Sequence, residues 1–513
     1  TDGIELLAGE LAYTTKAVSG WTALEPELSV TWETNPTFEP VEITNDMKGK
    51  CNIVINAPAG IKAFTVSMLS DYLNNDIGLT ELDLLNPQGL ETIFDMLNFP
   101  YGEKILNQKT VPFDLTNAVA LLEGKSGQHI FTMNVTDNNN KTINQDITFF
   151  VPEAISATVS DIDLWKNTAT ITLNNAPEGA TVQYKRSTES EWKNTTKNPN
   201  GTFSITPSWI TEENDAGKTV YSLDNNCGVF AGATYDWQIL NGEAVVASGT
   251  FETSAGDPIE NGDMSQWCET KEMLPLFGSK KITVWYPGSS WSDSTPGFWD
   301  SSNNAGNKTA CTQDKTKNAS CAWLQASGVS LVGALASGSL FTGTFTYANM
   351  NGTASFGQKY KYTARPTALR LKYHATLGTV NYNKHNGPLE KDKDIMDQCS
   401  FTVCIVDWDT RHDVQSGTSA PKGIWDPITM GELPVDKQNG IIGYGVKYSS
   451  ENTPGTDLIP LEIPIKYYQQ TNAAPDGENK FTIIISVSTS RYGDYLNGCD
   501  KNKIYVDDFE WVY

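Results

Sequence analysis

Basic residues are in short supply. Against 61 Asp and Glu the chain carries 37 Lys and Arg, a formal net charge of -24 over 513 residues, and no run of Lys and Arg clusters anywhere. Binding to phosphate backbones needs such clusters, so nucleic acid is excluded as a partner and adhesion to anionic lipid is disfavoured. Long apolar runs are missing as well, none approaching the roughly 20 residues of a membrane-spanning helix. Four histidines, His129, His374, His385 and His412, leave few candidates for a His-based nucleophilic site. No G-x-S-x-G, H-E-x-x-H or phosphate-loop motif occurs. The eight cysteines include no C-x-x-C pair and no Cys/His group at zinc spacing. Cys51 and Cys227 each stand alone in their stretch of chain and read as free thiols. Cys399 and Cys404 fall on one expected strand with side chains on opposite faces, so they cannot join each other. Cys311 and Cys321 have a spacing that could bridge a loop.

What is abundant points to β structure. With 41 Gly, 24 Pro, 39% hydrophobic residues and many Thr and Asn, the composition suits short strands and turns better than helical bundles. The length sets a prior of about three domains. Residues 1–152 are expected to form an immunoglobulin-like sandwich with short helical insertions. Leu90, Ile93, Phe94 and Leu97 have helical spacing and stop at Pro100, and Asp114 can cap a second short helix holding Val119 and Leu122. A hairpin follows, from His129–Val135 to Thr142–Val151, with His129 read as an ordinary packed residue. Residues 153–255 show about seven short strands, the pattern of an immunoglobulin or fibronectin type III spacer, with Trp165, Trp192, Trp209 and Trp237 as core candidates.

The last stretch, Lys480 to Tyr513, divides into an apolar strand, a polar and aromatic loop, and a closing strand. Phe481, Ile483 and Ile485 alternate with Thr482, Ile484 and Ser486, and Ile504, Val506 and Phe509 to Val512 close the chain. Ser490 to Tyr495 lies between them, where a rigid sheet presents a loop. Far upstream, Asn261-Gly262-Asp263 precedes Trp267, which resembles the opening of carbohydrate-binding jelly rolls. Together with Ala364-Arg365-Pro366-Thr367-Ala368-Leu369, Ser488 to Tyr495 and Tyr505-Val506-Asp507-Asp508-Phe509, it resembles the putative carbohydrate metabolism domain family.

That resemblance covers about half the chain and implies that residues 256–513 form one jelly-roll domain whose first and last strands meet. It implies glycan handling and export to the extracellular face of the outer membrane or the periplasm. The implied setting is a surface lipoprotein of gut anaerobes, with any lipid anchor on an N-terminal segment removed from this chain, which opens at Thr1 without an initiator Met. No cofactor is required. Jelly rolls of this kind often hold a structural calcium ion where first and last strands meet, and Asn261, Asp263 and Asp507 would supply its oxygens. A plain turn at Asn261-Gly262 is the alternative.

The residues also argue for sugar on their own. The loop from Trp285 to Asn304 is rich in Gly, Ser and Pro and carries Trp285, Tyr286, Trp291 and Trp299, whose flat faces suit the C–H face of a pyranose. Asp293, Asp300, Asn303 and Asn304 could exchange hydrogen bonds with hydroxyls. Trp291 and Trp299 are the expected stacking pair, unless they plug a sandwich end. A second candidate is the loop of Asp407, Trp408, Asp409, His412 and Trp425. A third is Arg491, Tyr492, Asp494 and Tyr495, with the alternative that the tyrosines pack the loop and Asp494 caps a turn. The expectation is an oligosaccharide- or polysaccharide-binding protein of the cell surface. Two alternatives remain: a glycoside hydrolase using Asp293 with Asp300 or Asp407 with Asp409, and an adhesion or scaffold protein that binds another protein.

Overall fold

Alternation of apolar and polar residues sets the architecture, and nearly every described element is a β-strand. The structure, a computed structural model, describes residues 27–44, 46–273, 282–292, 295–305, 310–317, 320–348, 351–390, 394–417 and 421–513. Two compact units divide the chain, Thr1–Ile155 and Ser156–Tyr513. Among the described residues no helix is long and apolar enough to cross a membrane.

In the first unit, a three-stranded sheet of Ser29–Trp32, Asn52–Asn56 and Thr110–Asp114 packs with a five-stranded sheet containing Ile61–Leu69, Gly127–Asp137 and Thr142–Val151. Trp32, Phe64, Phe113 and Phe149 fill the space between. The expected helices are present as Glu91–Leu97, burying Phe94 and Leu97, and Thr116–Ala120, where Asp114 accepts the Thr116 amide at 2.9 Å. His129 is buried, with Ser70 at 2.7 Å on one ring nitrogen and the Lys125 carbonyl at 2.8 Å on the other.

The second unit holds a ten-stranded sheet and a five-stranded sheet, both antiparallel. The central order of the larger is Ile441–Ser449, Cys399–Trp408, Phe481–Ser488, Ser339–Ala348, Asn351–Phe356, His412–Gly417. The smaller centres on Lys503–Val512, between Cys321–Gln325 and Ala368–Thr376. Residues alternating along each strand send Phe401, Val403, Ile483, Ile485 and Val487 from one sheet and Leu369, Leu371 and Val506 from the other into a common core. Phe509 donates its amide to the Gly262 carbonyl at 2.8 Å, so the closing strand meets the Asn-Gly-Asp turn.

The expected boundary near residue 255 lies inside this unit, for a physical reason. Strands Trp209–Glu213 and Thr219–Leu223 join the edge of the ten-stranded sheet, with Tyr221 opposite Tyr467. Arg365 is fully buried beside them, donating to the Trp165 carbonyl at 2.7 Å and to Oδ1 of Asn472 at 3.2 Å. Its guanidinium carbon lies 4.5 Å from the Trp165 ring centroid and 5.3 Å from that of Trp209. Two of the tryptophans expected in a separate spacer thus pack on an arginine of the C-terminal sandwich.

Candidate functional site

One change in residue type along three strands makes the site. On the outer face of the ten-stranded sheet, Cys404, Val406, Trp408, Tyr444 and Ile484 are covered by Met430 and Leu433, which form a second apolar cluster. Farther along the same face, the same strands carry Ser400, Thr402, Ser486, Ser488 and Tyr448, and among the described residues no layer covers them. The register aligns these residues in rows: Ser400 stands opposite Tyr448 on one side and Ser488 on the other, and Ser488 stands opposite Ser339. In the next row Thr402 faces Ser486, which faces Phe341.

The result is a cleft of about 640 Å³ with a hydroxyl floor, in the size range of ligand pockets. Ser400, Thr402 and Ser486 make no side-chain hydrogen bond among the described residues, so their hydroxyls are available to a ligand. Phe341, Phe356 and Trp425 form an aromatic wall, with successive ring centroids 5.2 and 6.5 Å apart. The other wall is the loop Ser490 to Tyr495. Its Arg491 guanidinium lies 3.7 Å from the Tyr448 ring centroid and 5.2 Å from that of Tyr492, while Nη1 donates to Oε1 of Gln398 at 3.1 Å.

Asp397 anchors that loop. Its buried Oδ2 accepts from the Ser490 hydroxyl, the Cys499 amide and the Asn502 amide group, each at 2.7 Å. The loop is therefore held before any ligand arrives, which lowers the ordering cost of binding. Asp494 projects from the short turn Gly493–Tyr495 into the cleft. It caps nothing: its carboxylate has no hydrogen-bond or ion-pair partner among the described residues. It is open to solvent in the cleft yet surrounded by protein, and that desolvation pushes its pKa up to about 6. Glu432, also lining the cleft, accepts the Gly423 amide at 2.6 Å through Oε2. Asp426, also on the cleft, is committed to its own turn, with Oδ1 accepting the Ile428 and Thr429 amides at 2.9 Å.

Of the residues singled out from sequence, Trp425, Arg491, Tyr492, Asp494 and Tyr495 line this cleft. The tryptophan loop does not. Trp299 is fully buried, its ring 5.0 Å from Phe509 and its Nε1 donating to the Glu260 carbonyl at 2.7 Å, so it plugs the sandwich and cannot stack on a ligand. Tyr286 is buried and lies parallel to Trp291 at 4.0 Å, each ring occupying a face of the other. Trp285, half-buried on Ile282–Pro287, gives its carbonyl to Nδ2 of Asn303 at 2.9 Å. Asn303 is itself a buried clamp that also accepts the Cys311 amide at 2.8 Å. Asp300, buried, accepts the amides of Ser301 and Phe345 at 2.7 Å. Asp293 and the side chain of Asn304 lie outside the described residues.

Trp408 is buried too, donating to the Lys437 carbonyl at 2.9 Å, and Asp407 pairs with Lys480 at 3.1 Å; neither lines the cleft. Sequence reading passed over the strand residues Ser400, Thr402 and Ser486 and the facing Glu432. The signal was available: hydroxyl residues occupy one parity of strands whose other parity is Phe, Val and Ile.

At the clasp of first and last strands, Oδ1 of Asn261 accepts the Gln266 amide at 2.9 Å, Oδ1 of Asp263 accepts the Ser265 hydroxyl at 2.9 Å, and Oδ1 of buried Asp507 accepts the Asp508 amide at 2.9 Å. One oxygen of each is thus spent locally, and among the described residues no three His, Cys, Asp or Glu side chains converge as a metal centre.

Comparison with known proteins adds one firm finding. The profile of the family described as putative carbohydrate metabolism domain matches residues 251–512. A search of curated proteins gives no match. Among solved structures, a putative glycoside hydrolase from Bacteroides thetaiotaomicron VPI-5482 aligns at 15% identity and a TM-score of 0.33, covering 66% of this chain and 98% of its own. A second, from Bacteroides vulgatus ATCC 8482, aligns at 15% identity and a TM-score of 0.31, covering 47% of this chain and 99% of its own. TM-scores this low leave the cleft's own geometry as the ground for its chemistry.

Proposed function

Because the chain belongs to the putative carbohydrate metabolism domain family, we propose that it binds a glycan in the cleft of the ten-stranded sheet. The observation that carries this reading is the pairing of a floor of unsatisfied hydroxyls, Ser400, Thr402 and Ser486, with aromatic walls. A sugar ring needs both: apolar faces for its C–H groups and exchangeable partners for its hydroxyls. Arg491 and Asp494, three positions apart on one anchored loop, add a fixed fork of donors and an acceptor. Such a pair suits vicinal hydroxyls on one sugar.

Affinity electrophoresis of the full chain through gels containing xylan, mixed-linkage β-glucan, galactomannan, arabinan or mucin tests the reading. At least one polysaccharide should retard the protein, and Tyr492→Ala should abolish the retardation. Migration unaffected by every polysaccharide, or an unchanged shift in Tyr492→Ala, would overturn it. Export to the cell envelope belongs to the same proposal, and recovery of the native protein in the cytosolic fraction would contradict it.

A further inference from the structure

The outer face of the five-stranded sheet carries a row of aromatic side chains that has no part in the cleft. Register sets Trp323 of Cys321–Gln325 opposite Tyr505 of Lys503–Val512, and Tyr505 opposite His374 of Ala368–Thr376, so the three stand side by side across adjacent strands. Their strand neighbours Ala322, Leu324, Ile504, Val506 and Ala375 belong to the core, which turns the row to the opposite face. The Trp323 and Tyr505 rings are parallel to within 1°, their centroids 5.7 Å apart, and His374 continues the row 6.1 Å from Tyr505. Trp323 and Tyr505 are partly exposed, whereas His374 is buried, with the Thr453 hydroxyl at 2.6 Å from Nδ1. Charge is unevenly spread on this face. Lys372 pairs with Asp508 at 2.7 Å, and Arg370 with Glu462 and Glu510 at 3.0 and 3.1 Å, so the cations beyond the row are neutralised. Those at the row are not: Lys317 and Lys503 make no ion pair among the described residues. The Lys317 ammonium lies 4.7 Å from the Tyr505 ring centroid and donates to the Thr456 carbonyl, while that of Lys503 lies 5.8 Å from the Trp323 centroid. Asp314, whose charge reaches Tyr505, spends Oδ1 on the Thr316 amide and hydroxyl at 2.7 and 2.6 Å.

We propose that this row is a second glycan-binding surface, and that its ligand is an anionic polysaccharide bearing uronic acid carboxylates. Flat parallel rings on a sheet face receive the C–H face of a pyranose. An ammonium beside each ring receives the carboxylate through charge-assisted hydrogen bonds. A neutral sugar would stack on the same rings and leave both cations unanswered. The chain's formal charge of -24 repels a polyanion at long range, but at physiological ionic strength such repulsion is screened beyond about 8 Å. Contact at the row is governed by the two lysines that lack carboxylate partners. None of Trp323, Tyr505, His374, Lys317 and Lys503 lines the cleft, so this surface stands independently of the reading given for it.

The test is biolayer interferometry of the full chain on immobilised tetragalacturonate, with the fully methyl-esterified tetrasaccharide beside it. Wild type should bind the acid and should bind the neutral ester at least ~10-fold more weakly. Lys503→Glu, at an exposed position whose folding a melting curve checks, should weaken binding of the acid at least ~10-fold. Trp323→Ala should weaken it for both saccharides, because it removes the stacking face. Tyr492→Ala, in the cleft, should match wild type. No binding of tetragalacturonate by wild type, equal binding of the ester, or wild-type affinity in Lys503→Glu would each overturn the proposal. Loss of binding in Tyr492→Ala would assign the ligand to the cleft and overturn it as well.

Discussion

Asp397 accepts the Ser490 hydroxyl at 2.7 Å inside the protein, and through that bond the segment entering strand Cys399–Trp408 is locked to the cleft loop that follows Ser488. The same oxygen takes the Cys499 amide and the Asn502 side chain, so three donors converge on one buried acceptor. Asp397→Asn places an NH₂ against those donors or turns it toward the Gln398 amide, which Oδ1 accepts at 2.8 Å. The substitution should cost about 2–4 kcal/mol, because buried donors lose their acceptor. Denaturant unfolding measures the loss, and proteolytic nicking within 490–496 should accelerate.

Arg365 is the second internal polar anchor. It is a buried cation whose pKa is lowered by desolvation, held by carbonyls and by the Trp165, Trp209 and Tyr467 rings. Lysine keeps the charge and loses the planar fork. Arg365→Lys should therefore destabilise the Ser156–Tyr513 unit by about 2–3 kcal/mol, read as a lower denaturant midpoint.

Trp299 and Tyr492 separate packing from recognition. Trp299→Ala empties a fully buried site and should cost about 3–5 kcal/mol of stability. Tyr492→Ala, on the half-buried cleft loop, should change stability by less than ~1 kcal/mol and remove glycan affinity. Calorimetric melting of the two variants beside affinity gels checks the division. A stable Trp299→Ala variant with lost binding would reverse the roles.

The Asp494 carboxyl gives stability a pH dependence of definite sign. Its folded pKa, about 6, lies above the ordinary value near 4. The native state therefore binds more protons than the unfolded chain between those values, and stability falls as pH rises through that window. Asp494→Asn removes this contribution. The variant should gain melting temperature relative to wild type at pH 8, and the gain should vanish at pH 4.

Much of the fold was readable because periodicity is local. Ile483 and Ile485 alternate with Ile484 and Ser486 in the sequence, and strand Phe481–Ser488 sends the first pair to the core. The two short helices before residue 122 followed from spacing and punctuation in the same way. The site was harder, since what covers a face is decided by residues far away. Ile484 and Ser486 point the same way, and Met430 and Leu433 cover the first while among the described residues no layer covers the second.

The tryptophan loop misled for the same reason. A Trp in a Gly- and Ser-rich segment has one composition whether it faces water or, like Trp299, meets Phe509 across some 210 residues of chain. Asp494 illustrates the converse. Its position before Tyr495 suits a turn cap, and only the surrounding fold shows that the carboxylate is left over for the cleft.

The cleft itself is tested most directly by filling it. Ser486 stands at the centre of the floor, flanked by Thr402 and Phe341, with its side chain in the cleft and its backbone in an intact ladder. Ser486→Trp should leave the melting temperature within a few degrees of wild type and abolish retardation by the polysaccharide that wild type binds. Undiminished affinity in a folded Ser486→Trp variant would place the ligand elsewhere and contradict the account.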